Sequence, residues 1–499
     1  MTKRVWLLAP LLAMYACGGD GESVDTGGSG NGQDPASPIS GNGGEGGGTL
    51  PDGAPRNGNG ESGTGPGGGD GGVDADQPIP YVAFDINHVV STGQSNSTAN
   101  DATTILSTSQ PYGNLMFDVG VLTGSGCGRD YCTSYDKPSK LVPLVEGDRF
   151  FGPVETMSSG LANEATKLAT QKYGKPSFDT LVSLHGRSGN AYICLRKGGC
   201  PKWWAGQTYI KPFDDAISQM TDAFALAKAA GKTYVVRAAT AIHGEHDHYS
   251  LTGGYSYFPM EKTDGSGGMV NDYGEALEEW QKDYEATAKG ITGQTQAVPL
   301  FINQYSHWND GPHTQIAFMQ LAAHERAKGK VIIVGPTYVL PYSDNCLHFK
   351  SDGERWLGEY FAKAYTKTII EGRPWDPLRP IDAALAGDVI TVKYHVPVPP
   401  LVIDTQRVKE AKAYGFELAD DTNAPPAIAK VELAGADSVK ITLASAWTAN
   451  GKRLRYAYTF DGCMGGKTSA RGNIRDSDDT PSQAGYELFN WSVHFDRSL

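Results

Sequence analysis

Between residues 80 and 370, short apolar runs alternate with longer stretches of helical period. The runs lie at 81–91, 179–184, 233–240, 298–304 and 331–339. Leu161, Ala165, Leu168 and Ala169 recur at helical spacing and predict a helix near 159–173. Ile217, Met220, Phe224 and Ala227 do the same within 213–230. Stretches 274–289, 313–328 and 352–371 also have helical length. Gly231 and Gly329 stand just past predicted helix ends, where a left-handed residue without a Cβ is favoured. Apolar runs alternating with helices predict a parallel α/β sheet of about five strands with flanking helices. Such sheets bind ligands beyond the C-terminal ends of their strands, so the polar residues after each run are the ones to inspect.

From about 383 the pattern changes. Residues 389–394, 401–403, 429–433, 438–443 and 454–458 are short β-type runs broken by Gly, Pro and Asn-Gly. They predict a small antiparallel, β-sandwich-like domain over 383–499, following a catalytic domain at 78–382. Within it, 472–495 has little strand character before 488–493.

The N-terminal end reads differently again. Lys3 and Arg4 precede an apolar stretch, Val5 to Ala16, too short for a membrane-spanning helix, which reads as an export signal. Its end, Ala13-Met14-Tyr15-Ala16-Cys17, resembles a bacterial lipoprotein signal with Cys17 as the lipidated residue. An ordinary signal cleaved near Ala16 is the alternative. The expected location is the outer membrane or cell surface, or the periplasm or medium if Cys17 carries no lipid. Residues 18–77 hold 23 glycines, ten acidic residues and one arginine, a composition that predicts a disordered tether. Its reach would be about 40 Å. That tether carries −9 and the first 17 residues +2 of the formal −13, leaving −6 for residues 78–499. Nothing in this balance attracts nucleic acid, and a membrane is expected as a partner only through the lipid.

Beyond Cys17 there are six cysteines, Cys127, Cys132, Cys194, Cys200, Cys346 and Cys463. An even number in an exported chain favours disulfides. The short spacings suggest Cys127–Cys132 and Cys194–Cys200, leaving Cys346–Cys463.

Four strand ends carry chemistry. The first run leads into Gly93-Gln94-Ser95-Asn96, and the second into Ser188-Gly189-Asn190-Ala191. The third is followed by His243-Gly244-Glu245-His246-Asp247-His248, and the fifth by Asp344-Asn345-Cys346-Leu347-His348. A serine, a glycine able to offer its backbone N–H, a polar cluster and an acid with a histidine are the parts of nucleophilic acyl transfer. Three histidines in the third block also suit zinc. A solvated polar loop lining the cleft is the reading preferred, and no metal or cofactor is expected.

Together the blocks resemble the SGNH hydrolase superfamily, in particular its sialate O-acetylesterase-like branch of carbohydrate esterases. Gly-Gln-Ser-Asn, a Gly-Gly-Thr-Ala-like block, a Gln-Gly-Glu-x-Asp-like block and Asp-x-x-His occur there in this order. The resemblance covers about 80–370 and implies a flavodoxin-like fold. It makes Ser95 the nucleophile, His348 the base and Asp344 its orienting acid, with the oxyanion held by the N–H groups of Ser95 and Gly189. The third oxyanion donor would be His243, where the branch has glutamine. Asp344 is one residue further from His348 than the pattern asks, and Asn345 is the alternative orienting group. Gln94, Asn96, Glu245, Trp203 and Trp204 are candidate substrate contacts. Segments 472–477 and 490–491 resemble ones that fold back toward the cleft in related esterases. The implied activity is removal of O-acetyl or other short acyl groups from a carbohydrate. A carbohydrate-binding protein that has lost turnover, and a lipase or polyester hydrolase, are the alternatives.

Overall fold

The computed structural model describes residues 78–123, 135–148, 153–174, 178–201, 211–254, 256–307, 314–460 and 470–499. The expected signal, Cys17, the tether, Trp203, Trp204, Cys127, Cys132 and Cys463 lie outside them.

The central sheet has seven strands. They are β1 (Ile86–Gly93), β2 (Leu115–Phe117), β3 (Leu141–Pro143), β4 (Thr180–Leu184), β5 (Tyr234–Ile242), β6 (Leu300–Gln304) and β7 (Val331–Pro336). Their order is β7-β6-β5-β1-β4-β2-β3. The five strands β7-β6-β5-β1-β4 are parallel and follow the flavodoxin-like order, with β2 parallel to β4 and β3 antiparallel to β2. Every residue of β1 and β5 is buried, as expected for strands covered on both faces. The five parallel strands match the apolar runs, although β1 opens at Ile86 rather than 81. The short strand β2 and the edge strand β3 beyond it were not expected from the sequence, because three residues are too few to show a period.

Among the described residues the helices longer than one turn are α1 (Met157–Tyr173), α2 (Pro212–Ala229), α3 (Glu245–Thr252), α4 (Tyr273–Thr292), α5 (Ile316–Arg326) and α6 (Ser351–Tyr365). The chain moves outward from β1 to β4 through α1, then returns across β1 to β5, β6 and β7. With right-handed crossovers this sets α1 and α6, which pack on each other, on one face. On the other face α4 packs on α2 and α5. The reversal at β1 opens a crevice between the C-terminal ends of β1 and β5, the usual binding place in such sheets. Gly231 and Gly329 do take left-handed backbone, with φ of 65° and 71°. Among the described residues, no helix is long and apolar enough to cross a membrane.

The antiparallel region opens at β8 (Arg379–Ala386) and β9 (Val389–His395). It continues with β10 (Val402–Ile403), β11 (Phe416–Ala419), β12 (Ile428–Leu433), β13 (Ser438–Leu443), β14 (Arg453–Tyr456), β15 (Ile474–Arg475) and β16 (Phe495–Ser498). They form sheets β8-β9-β13-β12, β11-β14-β16 and β10-β15. In the final segment the strands fall at 474–475 and 495–498, not at 488–493. Between them the chain lies along α1 and α6: Tyr486 stacks on Trp356 with ring centroids 5.1 Å apart, and Lys363 Nζ donates to Asn490 Oδ1 at 2.9 Å. At the far end His494 shares a 2.7 Å hydrogen bond with Ser306 and exchanges bonds with Gln304, tying β16 to the end of β6. A disulfide joins Cys194 and Cys200 as expected, and Cys346 is also disulfide-bonded.

Candidate active site

Ser95 sits on a helical turn that leaves β1. Thr98 N donates to Gln94 O and Asn100 N to Ser95 O, each at 3.1 Å. The turn is wedged between neighbouring strand ends. A Cβ at Gly93, where φ is 134°, would lie 2.1 Å from Ile242 O. A Cβ at Gly186 would meet Ser97 Oγ at 2.1 Å and Gly93 O at 2.8 Å. Gly189 differs: its φ is 67°, and a Cβ there would have no atom within 4 Å. Its loop therefore faces open space beside the serine turn. Asn100 Nδ2 donates to Ser188 Oγ at 2.8 Å, fixing that loop to the turn. Arg187 holds it from behind, donating to Gly186 O and pairing with Asp215.

The histidine lies in the loop before α6. Asn345 shapes this loop: its Oδ1 accepts from the N–H groups of Leu347 (2.9 Å) and His348 (3.1 Å). The carboxylate beside His348 is Asp101, with Oδ2 3.2 Å from Nδ1. Asp344 is not there. Its carboxylate is 99% exposed and faces Lys350 Nζ at 3.7 Å. The carboxylate that meets the imidazole comes instead from a residue six positions after Ser95. Asp101 Oδ2 also accepts from Ser343 Oγ (2.7 Å) and Asn345 Nδ2 (2.5 Å). Asn345 Nδ2 is itself 3.2 Å from His348 Nδ1. Both nitrogens converge on one carboxylate oxygen, so the amide supports the acid and does not replace it. The His348 hydrogen bond, helped by Ser343 and Asn345, overcomes partial burial and holds the Asp101 pKa at about 2. A carboxylate on Nδ1 fixes the proton there and leaves Nε2 as the basic nitrogen.

Asn96 joins the two loops. Its Nδ2 donates to Leu347 O (3.1 Å) and to Glu245 Oε1 (2.7 Å), and its Oδ1 accepts from Phe349 N (3.1 Å). One amide thus grips the residues on both sides of His348 from the position next to Ser95. Gln94 Oε1 accepts from His246 N at 3.0 Å, anchoring the start of α3. Gln94, Asn96 and Glu245 are all buried, and these bonds tie the loops together, while Glu245 Oε2 is buried without a hydrogen-bond partner.

His243 is not placed to donate to an oxyanion. Its Nδ1 shares a 2.7 Å hydrogen bond with Tyr273 Oη, and its Nε2 lies 3.1 Å from Asn190 O and 3.6 Å from Asp247 Oδ2. Both ring nitrogens are spent, and burial pushes the pKa down to about 3. Nor is the third block a solvated loop: it turns helical at Glu245, and Glu245, Asp247 and His248 are buried. Among the described residues no three His, Cys, Asp or Glu side chains are grouped to hold a metal.

Two residues were not singled out from the sequence. Asp101 is one. His307, just past β6, is the other: it is 1% exposed, and neither ring nitrogen has a hydrogen-bond partner. Its ring lies 4.8 Å from that of Tyr342, and burial, with His348 and His248 nearby, pushes its pKa down to about 3. A histidine directly after a predicted strand was the available signal.

No family model and no curated protein matches the chain. Among solved structures it is similar to a carbohydrate acetylesterase from Xanthomonas citri at 10% identity, over 83% of this chain and 80% of that one, with a TM-score of 0.49. It is also similar to an Arabidopsis thaliana protein (12% identity, 56% and 98% covered, TM-score 0.33) and to NanS (12%, 57% and 98%, 0.36).

Proposed function

We propose that this chain is an exported serine esterase that removes short acyl groups, acetyl first among them, from a carbohydrate. The observation that carries the reading is the Asp101 carboxylate 3.2 Å from His348 Nδ1, supplied by the loop that presents Ser95. Ser95 Oγ attacks the ester carbonyl while His348 Nε2 takes its proton. Asp101 stabilises the imidazolium so formed. The negative oxygen develops against the N–H groups of Ser95 and Gly189, each such donor being worth about 10²–10³ in rate. Collapse breaks the ester bond, and His348 returns the proton to the departing alcohol. Water, deprotonated by His348, then frees the acid from Ser95. The sugar part of the reading rests on the motif resemblance. With His243 occupied elsewhere, the hole has two backbone donors in place of three.

The test is hydrolysis of p-nitrophenyl acetate by the full chain. Ser95→Ala should lower kcat by about 10³-fold or more while the protein stays folded. Undiminished turnover in that variant would overturn the serine mechanism. Acetate release from O-acetylated polysaccharides tests the substrate class, and the mass of the native N-terminus tests lipidation of Cys17.

A further inference from the structure

A cleft of about 600 Å³ opens far from the serine, at the C-terminal ends of α1 and α6. It lies where those helices meet the end of β9 and the returning C-terminal segment. Helix α6 starts three residues after His348 and has 15 residues, so the cleft lies roughly 22 Å from the histidine loop. Its volume is in the range of small-molecule sites.

The lining is specific in two respects. Trp375, partly buried, forms one wall; its indole N–H donates to Ile333 O at 2.9 Å, which fixes the ring against the central sheet, and Lys363 Nζ lies 5.8 Å from the ring centroid. A ring held this way gives up little entropy when something stacks on it. The charges around it are already satisfied. Glu371 takes Lys172 at 2.7 Å and Lys367 at 3.5 Å; Lys363 pairs with Asp478 at 2.8 Å; Asp376 pairs with Arg379 at 2.6 Å. The lining carries three ammonium groups, Lys172, Lys363 and Lys367, against three carboxylates, Glu371, Asp376 and Asp478, so it has no net charge to draw a phosphate or carboxylate ligand. A neutral polyol needs none, because paired carboxylates and ammonium groups still have hydrogen-bonding positions to offer hydroxyls.

We infer that this cleft is a second, non-catalytic saccharide site, which holds a neutral sugar of the glycan against Trp375 while another part of the same chain reaches Ser95. The ligand class rests on the carbohydrate reading above. Such a site raises the local concentration of a polymer and adds nothing for a small ester.

The experiment begins with O-acetylated xylan, pectin, peptidoglycan and sialylated glycan, and takes the polymer from which the full chain releases most acetate as the probe. Release from none of them defeats the carbohydrate reading and this inference with it. With the probe chosen, binding is measured on full-length Ser95→Ala, alone and combined with Trp375→Ala or Val398→Trp. Val398 is 37% exposed in the cleft wall, so a tryptophan there fills the cleft without disturbing the core. Both changes should weaken polymer binding about five- to tenfold. In the Ser95 background they should raise KM for the polymer by a similar factor and leave p-nitrophenyl acetate turnover unchanged. If Trp375→Ala reduces that turnover, the fold has suffered and Val398→Trp alone decides. Unchanged polymer affinity in Val398→Trp overturns the second site while leaving the esterase intact.

Discussion

At the scale of single residues, the decisive question is which group orients His348. Asp101 Oδ2 takes hydrogen bonds from Ser343 and Asn345 as well as meeting the imidazole, so it cannot move without losing three partners. Asp101→Asn would place an amide donor against Nδ1 and favour the wrong tautomer, lowering kcat by about 10³–10⁴. Asp344→Ala removes only an exposed pairing with Lys350 and should change kcat by less than about twofold. Parallel kcat measurements on p-nitrophenyl acetate check both, and a larger loss at Asp344 would reverse the assignment. The carboxylate is also ionised at lower pH in the fold than in the unfolded chain. Its contribution to stability is therefore complete above its ordinary pKa of 3.8 and is lost as pH falls toward 2. Asn96→Ala tests the bridge between the loops. It leaves Glu245 Oε1, Leu347 O and Phe349 N without their partner, which should cost about 2–4 kcal/mol in urea unfolding and lower kcat more than it raises KM. The motifs around Ser95 and His348 were legible in the sequence because each is short and lies at a strand end. Asp101 was not, because its partner Asn345 is 244 residues away and only the fold brings them together. His243 misled for the same reason. The motif resemblance made it a donor, but Tyr273 and Asn190, which occupy its nitrogens, are tertiary neighbours.

At the scale of elements, strand ends packed in contact make the site. β1, β4 and β5 finish so close together that Gly93 and Gly186 have no room for a methyl group, whereas Gly189 has open space before it. The three glycines therefore answer differently to substitution. Gly186→Ala should cost about 3 kcal/mol, because Ser97 Oγ and the Gly93 carbonyl must both give way. Gly189→Ala should cost only about 1–2 kcal/mol, the strain of a left-handed alanine. Urea midpoints measured side by side separate the two, and equal losses would show that the strand ends can spread. The periodicity of the chain showed five buried strands and the helices between them, since a long run averages over local exceptions. It could not show β2 and β3, whose three residues carry no period, nor the π-helical turn Thr366–Ile370 that continues α6 within the predicted 352–371. It also took α3 for a loop, because Gly244 and the polar residues after it mask a helix whose buried face is itself polar.

Across the whole molecule, the least expected feature is a set of carboxylates buried under the N-terminal ends of α1 and α6. Glu146 accepts from the N–H groups of Thr156 (3.2 Å) and Ser159 (3.0 Å), and Glu155 from those of Leu106 (2.8 Å) and Ser107 (2.9 Å). Glu354, on the first turn of α6, is fully buried, and neither of its oxygens has a hydrogen-bond partner. A helix N-terminus favours a negative charge, but here burial outweighs it. Burial first, then the charges of Glu146, Glu155 and Glu245, push the Glu354 pKa well above its ordinary 4.5; burial and Glu155 push Glu146 up to about 8. These acids are neutral in the fold at a pH where the unfolded chain has already ionised them. Their protonated forms thus support stability fully below about pH 4.5, and that support is lost as pH rises from there through the folded pKa. Glu354→Gln keeps the shape and removes the ionisation. Its Tm should match the parent's at pH 4 and exceed it at pH 9 by about 2–4 °C. Self-repulsion from the chain's −13 charge also grows with pH, but both proteins share it apart from one group, so it largely cancels in the comparison. Because α6 begins three residues after His348, the same change should slow the alkaline loss of p-nitrophenyl acetate hydrolysis as well as unfolding. Tm curves that run parallel from pH 4 to 9 would mean that Glu354 ionises as readily in the fold as out of it, and the alkaline weakness would then have to be sought at Glu146.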